Sequence, residues 1–212
     1  EEVTIIDSKT RNEKIKNFFI SNMKNLIIGF SFIFILVIGY LSMKEMKERE
    51  KIKLAKQFNI TTINFKIEGK QRTIDQLTRM INQNDATYSP LALYFLIDNN
   101  LIDNKDEINN LFDQLIKETS LDEEIKNLII YKKALFNSEF STENDLLQIL
   151  NPIINSESIW KSHSLYLLAE YFYSKNQKQK AKEFFEQILL LPNANNDIKI
   201  ESKKRINRDI GE

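Results

Sequence analysis

Residues 181–189, AKEFFEQIL, contain the pattern from which the fold is predicted. Their apolar positions follow the spacing i, i+3, i+4, i+7, i+8, which is one face of an α-helix. The same spacing recurs 35 residues earlier, a further 38 earlier and a further 34 earlier. The four sets are Ala181, Phe184, Phe185, Ile188 and Leu189; Leu146, Ile149, Leu150, Ile153 and Ile154; Ile108, Leu111, Phe112, Leu115 and Ile116; and the weaker Ile74, Leu77, Thr78, Ile81 and Asn82.

Each of these amphipathic helices follows another helix-forming stretch. We predict those partners at about 44–68, 88–100, 122–137 and 158–174, and a charged capping helix at about 195–208. A single helix pair cannot cover its own apolar face, so successive pairs must pack on one another. No long stretch alternates with period two, which argues against strands. The sequence therefore predicts an all-α, right-handed stack of helical hairpins over residues 44–212, in which Phe185 and Leu150 are buried.

Turn and capping residues fall between the predicted helices. Gly69 interrupts the first pair, and Asn176 lies in a tight turn between helices. Ser89-Pro90 reads as a cap followed by proline at the first helical position. Ser141 or Thr142 is expected to begin another helix, with acidic residues in its first turn.

A transmembrane helix is predicted for residues 25–43, NLIIGFSFIFILVIGYLSM. These 19 residues carry no charge and are bounded by Lys24 and Lys44. At 1.5 Å per residue the run spans about 28 Å, close to the hydrocarbon thickness of a bilayer. The segment after Tyr40 lacks the small residues of a signal-peptide cleavage site.

Residues 1–24 form a tail ahead of the predicted span. Asp7 or Ser8 is placed to cap a short helix whose apolar stripe is Ile15, Phe18, Phe19 and Met23. Basic residues occupy the other faces, so we predict an amphipathic helix lying on a membrane surface.

The composition excludes most kinds of chemistry. There are no cysteines and only one histidine, His163, so thiolate metal sites and histidine-pair metal sites are absent. The four glycines are isolated, and no phosphate-binding or hydrolase motif occurs. A net charge of zero gives no support for a nucleic-acid partner. We therefore expect no enzymatic activity, catalytic residue, metal, cofactor or small-molecule substrate, and a protein as the partner.

The period near 34 residues resembles the tetratricopeptide repeat. Residues at the offsets of that repeat occur in the last unit (Leu165, Leu168, Ala169, Phe172, Ala181, Phe185, Pro192) and in the unit at 88 (Tyr88, Leu91, Ala92, Phe95). The middle unit departs from the pattern, with Ile130, Tyr131 and Ala134, and the early glycine is missing throughout. The whole layout, a short charged tail, one span and degenerate repeats, resembles the YfgM-like family of ancillary subunits of the SecYEG translocon.

That resemblance implies a bacterial inner-membrane protein with a cytoplasmic N-terminus and a periplasmic repeat domain. It further implies a role in handing exported proteins to periplasmic chaperones. The flanking charges favour a cytoplasmic location for the large domain, because four basic residues lie in the 15 positions before the span and six lie in the 15 after it. Long domains are translocated largely regardless of such charges, so both orientations stay open. A structural adaptor in cell-envelope assembly is the alternative function.

The first helix of each hairpin is expected to line a concave face that binds protein segments. The predicted face carries mostly apolar and aromatic residues, and Lys132 is its main cation. The alternative is that these side chains pack against a neighbouring or capping helix of the protein itself. The candidate residues are Leu93, Leu96, Ile97, Leu128, Lys132, Leu135, His163, Tyr166, Glu170 and Tyr173.

Overall fold

The computed structural model describes residues 8–210, and every regular element among them is helical. The chain divides into two compact units, residues 1–56 and 57–212. The all-α prediction is therefore confirmed for the described part of the chain. The predicted cap at Asp7 lies outside the described residues.

The first unit contains the predicted membrane span. Helix α1 covers Ser8–Ser21 and α2 covers Met23–Ile63, so α2 continues well beyond the apolar run. Among the described residues, α2 alone is long and apolar enough to cross a membrane, and none of its apolar window is buried within the protein. A core helix of a soluble domain would be largely covered, and this one is bare.

The junction between α1 and α2 keeps helical hydrogen bonding. The amide of Asn22 donates to the carbonyl of Phe18 at 3.1 Å, and the amide of Leu26 donates to the carbonyl of Asn22 at 2.9 Å. Ile15, Phe18 and Phe19 are exposed, as the predicted apolar stripe requires. However, a helix lying flat on the membrane needs a bend before the span, and this junction provides no loop for one. The surface-lying orientation stays a prediction.

The helices of the second unit follow the predicted order, but the helix predicted at about 44–68 is not one element. Helix α2 ends at Ile63, and a separate short helix, α3, begins at Phe65. Helices adjacent in sequence pack against each other, and the pair α9 and α10 makes the most extensive contact. The elements are α3 (Phe65–Glu68), α4 (Lys70–Ile81), α5 (Tyr88–Asp98), α6 (Lys105–Glu118), α7 (Glu123–Asn137), α8 (Glu143–Ile154), α9 (Lys161–Ser174), α10 (Lys178–Leu190) and α11 (Asn196–Arg205), followed by a π-helical turn (Ile206–Ile210).

Local signals explain most of these boundaries. Thr142 caps α8 in a reciprocal capping box with Asp145. Gly69, between α3 and α4, has φ of 88° and ψ of 155°, a backbone conformation that glycine adopts readily. Asn176 has φ of 60° just after the end of α9, the left-handed conformation that commonly ends a helix. The predicted cap at Ser89 is wrong by two residues. The carboxylate of Asp85 instead accepts from the amides of Thr87 and Tyr88, and the helix begins at Tyr88.

The predicted repeat positions form the core. Phe185 and Leu150 are completely buried, as predicted from their place at the centre of each apolar set. Phe112 occupies the same place in the preceding set and is also buried. Burying these side chains is the main favourable contribution to folding of this unit, roughly 1.5–3 kcal/mol for each large apolar residue.

Candidate functional site

A groove lies between α5 and α7, the first helices of the second and third predicted hairpins. Its volume is about 220 Å³, and α6 contributes Phe112 to its lining. We call it the α5–α7 groove. Its apolar lining residues are Tyr94 and Ile97 from α5, Phe112 from α6, and Leu135 and Phe136 from α7; its charged lining residues are Asp98 and Lys132.

The groove has a polar edge as well as an apolar lining. The ammonium of Lys132 lies 5.6 Å from the centre of the Tyr94 ring, a long cation–π distance. Burial raises the pKa of Tyr94 to about 12, so its hydroxyl is protonated throughout the physiological range. Among the described residues that hydroxyl has no hydrogen-bond partner. The groove thus combines a partly buried aromatic wall with one exposed cation and one exposed carboxylate.

The groove continues toward the C-terminal ends of α5 and α7. An adjoining depression of about 390 Å³ shares Ile97, Leu135 and Phe136 with it. There the ammonium of Lys105 lies 3.7 Å from the centre of the Phe140 ring. Leu135 is 44% exposed, so a large apolar side chain is open to solvent at the point where the two depressions meet.

The equivalent space between α7 and α9 is occupied by aromatic side chains. Tyr131 stacks on Trp160 with ring centres 5.7 Å apart, and His163 contacts both rings. We call these three residues the aromatic cluster. Nδ1 of His163 is buried without a hydrogen-bond partner among the described residues, which suits a packing role better than an exposed binding role.

The face of α9 is covered by α11, in what we call the α9–α11 contact. The guanidinium of Arg205 donates to both carboxylate oxygens of Glu170, at 2.7 and 2.6 Å, and lies 4.4 Å from the Tyr173 ring centre. Arg205 also pairs with Asp209 in the following π-helical turn. Tyr166 packs edge-on against Phe185 at 5.5 Å. Its pKa is raised to about 12, first by burial and then by the neighbouring Glu170 carboxylate.

No protein family, curated protein or solved structure matches this chain. Within residues 8–210, no group of three or more acidic or histidine side chains is arranged to hold a metal ion.

The structure separates the ten predicted face residues into three groups. Ile97, Lys132 and Leu135 line the α5–α7 groove. Leu93 and Leu96 are completely buried, so they offer no surface to a partner, contrary to the open face predicted for them. The remaining five are Leu128, which is half-buried on α7, His163 in the aromatic cluster, and Tyr166, Glu170 and Tyr173 beneath or beside α11.

Four groove residues were missed by the sequence pattern. Tyr94, Asp98, Phe112 and Phe136 lie in the groove but were not among the predicted face residues. Phe112 was predicted only as a core residue. Its side chain is part of the core and also forms the floor of the groove. Tyr94 and Asp98 follow Leu91 at i+3 and i+7, so helical spacing from that exposed residue gives a signal for this face.

Proposed function

We propose that this chain is a non-enzymatic, membrane-anchored protein-interaction module that binds partner segments in the α5–α7 groove. The observation that carries the proposal is the groove itself, where Ile97, Leu135 and Phe136 form a solvent-open apolar strip between two helices. Grooves of this kind, apolar with a few charges at the edge, suit a peptide segment of another protein.

The architecture supports this function in two further ways. The bare apolar helix α2 fits a role as a single transmembrane anchor. An anchored domain meets membrane-embedded partners at high local concentration, so a small groove and modest affinity suffice. The order of helical hairpins in the second unit fits a right-handed, tetratricopeptide-like stack, and we propose that architecture for it.

The partner we propose is the Sec translocon or an exported protein emerging from it. The reason is the order of elements along the chain, which is a tail, one predicted span and a set of helical hairpins. This order resembles that of the YfgM-like ancillary subunits. In that arrangement the N-terminus is cytoplasmic and the second unit is periplasmic in the bacterial inner membrane. Protease added to spheroplasts should then degrade the second unit, while a unit protected until the inner membrane is broken would contradict this orientation.

Affinity capture of the full chain from solubilised membranes tests the binding function. Leu135→Glu places a charge at the centre of the groove, and we expect it to abolish recovery of partners. Leu190→Glu is the matched control, because Leu190 is 82% exposed on α10 and does not line the groove. Equal recovery by wild type and both variants would contradict the proposal. Recovery of translocon subunits or precursors supports the proposed partner, whereas recovery of envelope-assembly proteins alone would replace it with a structural adaptor.

A further inference from the structure

We infer that the occupant of the α5–α7 groove is an amphipathic helix that carries an arginine beside its apolar stripe. This inference rests on the proposed function and specifies its partner. It comes from a comparison within the chain, because α11 already occupies the face of α9 and shows what such a face accepts.

The α9–α11 contact defines the chemistry of the occupant. On α9, Glu170 and Tyr173 are one turn apart, and Arg205 of α11 pairs with the carboxylate while it lies over the ring. Ile198 near the start of α11 and Ile206 at the start of the π-helical turn pack against the core beneath. In this contact, two apolar side chains and one arginine provide the main side-chain contacts that cover the face of α9.

Helix α5 also carries an aromatic ring and a carboxylate one turn apart in the groove, in the opposite order along the helix. Tyr94 and Asp98 are four residues apart on one face of α5 and both line the groove. Asp98 is exposed and has no ion-pair partner within 4.0 Å among the described residues. A guanidinium suits this position because it can pair with a carboxylate in a bidentate way and stack on a ring at the same time.

The charges around the groove favour a cationic rather than an anionic occupant. The two lysines of the groove and its extension, Lys132 and Lys105, already lie over aromatic rings. The carboxylates of Asp98 and Glu139, which line the groove and its extension, have no ion-pair partner within 4.0 Å among the described residues. Lys132 is exposed and its 5.6 Å distance to the Tyr94 ring is close to the limit of a useful cation–π contact, so an incoming arginine displaces it at little cost.

The groove also has the form that a helix needs. Ile97 of α5 and Leu135 of α7 stand on opposite walls, and Phe112 closes the floor. The adjoining depression extends the same walls toward Phe140, which gives room for apolar side chains from successive turns of a helix. Recognition by side chains at i, i+3 and i+4 is the usual mode for a helix bound in a groove.

Two labelled peptides test the inference on the full chain in detergent micelles. Each is a helix of about 14 residues with leucines at i, i+3, i+4 and i+7. One carries an arginine one turn beyond the last leucine and the other carries glutamate there. By fluorescence anisotropy we expect the arginine peptide to bind about tenfold more tightly, the combined effect of an ion pair and a ring contact.

Three variants identify the groups responsible. Asp98→Asn should reduce the preference for arginine to about twofold, since only the ring contact remains. Glu186→Gln is the matched control, an exposed carboxylate on α10 outside the groove, and should leave the tenfold preference unchanged. Leu135→Glu should abolish binding of the apolar stripe and therefore of both peptides.

The outcomes separate this inference from the proposed function. An unchanged preference for the arginine peptide in Asp98→Asn would overturn the inference, and so would tighter binding of the glutamate peptide. In either case the groove remains a binding site, provided that Leu135→Glu still abolishes peptide binding. Peptide binding that persists in Leu135→Glu, or no binding of either peptide to wild type, would also overturn the inference. The proposed function fails as well only if the membrane capture described above is insensitive to Leu135→Glu.

Discussion

The α5–α7 groove and the α9–α11 contact are two surfaces on predicted first helices, one open and one closed. Both present the outer face of a first helix, with an aromatic ring and a carboxylate about one turn apart. At α9 the pair Glu170 and Tyr173 is covered by Arg205 and the rest of α11. At α5 the pair Tyr94 and Asp98, which occupies other positions of the repeat and has the opposite order along the helix, lines an open groove. The chain itself therefore covers this kind of face at α9 and leaves it open at α5.

The largest expected effect is loss of the core beneath the closed surface. Phe185 is completely buried and its ring supports Tyr166. We expect Phe185→Ala to lower the free energy of unfolding by roughly 3–5 kcal/mol, because it leaves a cavity where an aromatic ring was packed. Denaturant unfolding of the full chain in detergent measures this change. An unchanged midpoint would remove Phe185 from the core and with it the register of the repeats.

Breaking the closed contact is expected to have a smaller effect. Arg205→Ala removes two charge-assisted hydrogen bonds to Glu170 and the contact with the Tyr173 ring. We expect a loss of about 1–3 kcal/mol in stability, together with faster amide hydrogen exchange across α11. Exchange in α5 and α7 serves as the internal control and should not change. Unaltered exchange in α11 would mean that apolar packing alone holds it in place.

Acid is expected to loosen the closed contact. The hydrogen bond from Arg208, supported by Arg205, lowers the pKa of Asp209 to about 2, below the value of about 3.9 for an unfolded aspartate. A lowered folded-state pKa stabilises the fold above the unfolded pKa, and this contribution is lost as the pH falls toward 2. Hydrogen exchange in α11 should therefore accelerate between about pH 4 and pH 2, beyond the intrinsic pH dependence of exchange. Asp209→Asn should remove this extra acceleration, and an identical pH profile in that variant would contradict the assignment.

The smallest effect on stability is expected in the open groove. Leu135 is already 44% exposed, so Leu135→Glu should change the free energy of unfolding by no more than about 0.5 kcal/mol. Thermal unfolding of the variant beside Leu190→Glu measures this. If Leu135→Glu were strongly destabilised and Leu190→Glu were not, Leu135 would be needed for the stability of the fold. The loss of partner binding in Leu135→Glu would then be explained by unfolding.

The sequence predicts the fold better than it predicts the site. Positions such as Phe185, Leu150 and Phe112 are fixed by helical periodicity, which depends only on neighbours within two turns. The caps at Thr142 and Gly69 are equally local. Periodicity also selects the first helices as a binding face, but it does not tell which faces another helix covers. Leu93 is buried by neighbouring helices, and Glu170 meets an arginine 35 residues away in sequence, so only the tertiary structure assigns them.

Site-specific photo-crosslinking in living cells tests the difference between the open and closed surfaces most directly. A photoreactive residue is placed at Leu135 in the α5–α7 groove, and in a second strain at Tyr173 in the α9–α11 contact. We predict adducts with another protein from Leu135, and from Tyr173 only crosslinks within the chain, to α11. Intermolecular adducts from Tyr173 and none from Leu135 would contradict the account, because the surface that this structure shows as closed would then be the one that binds.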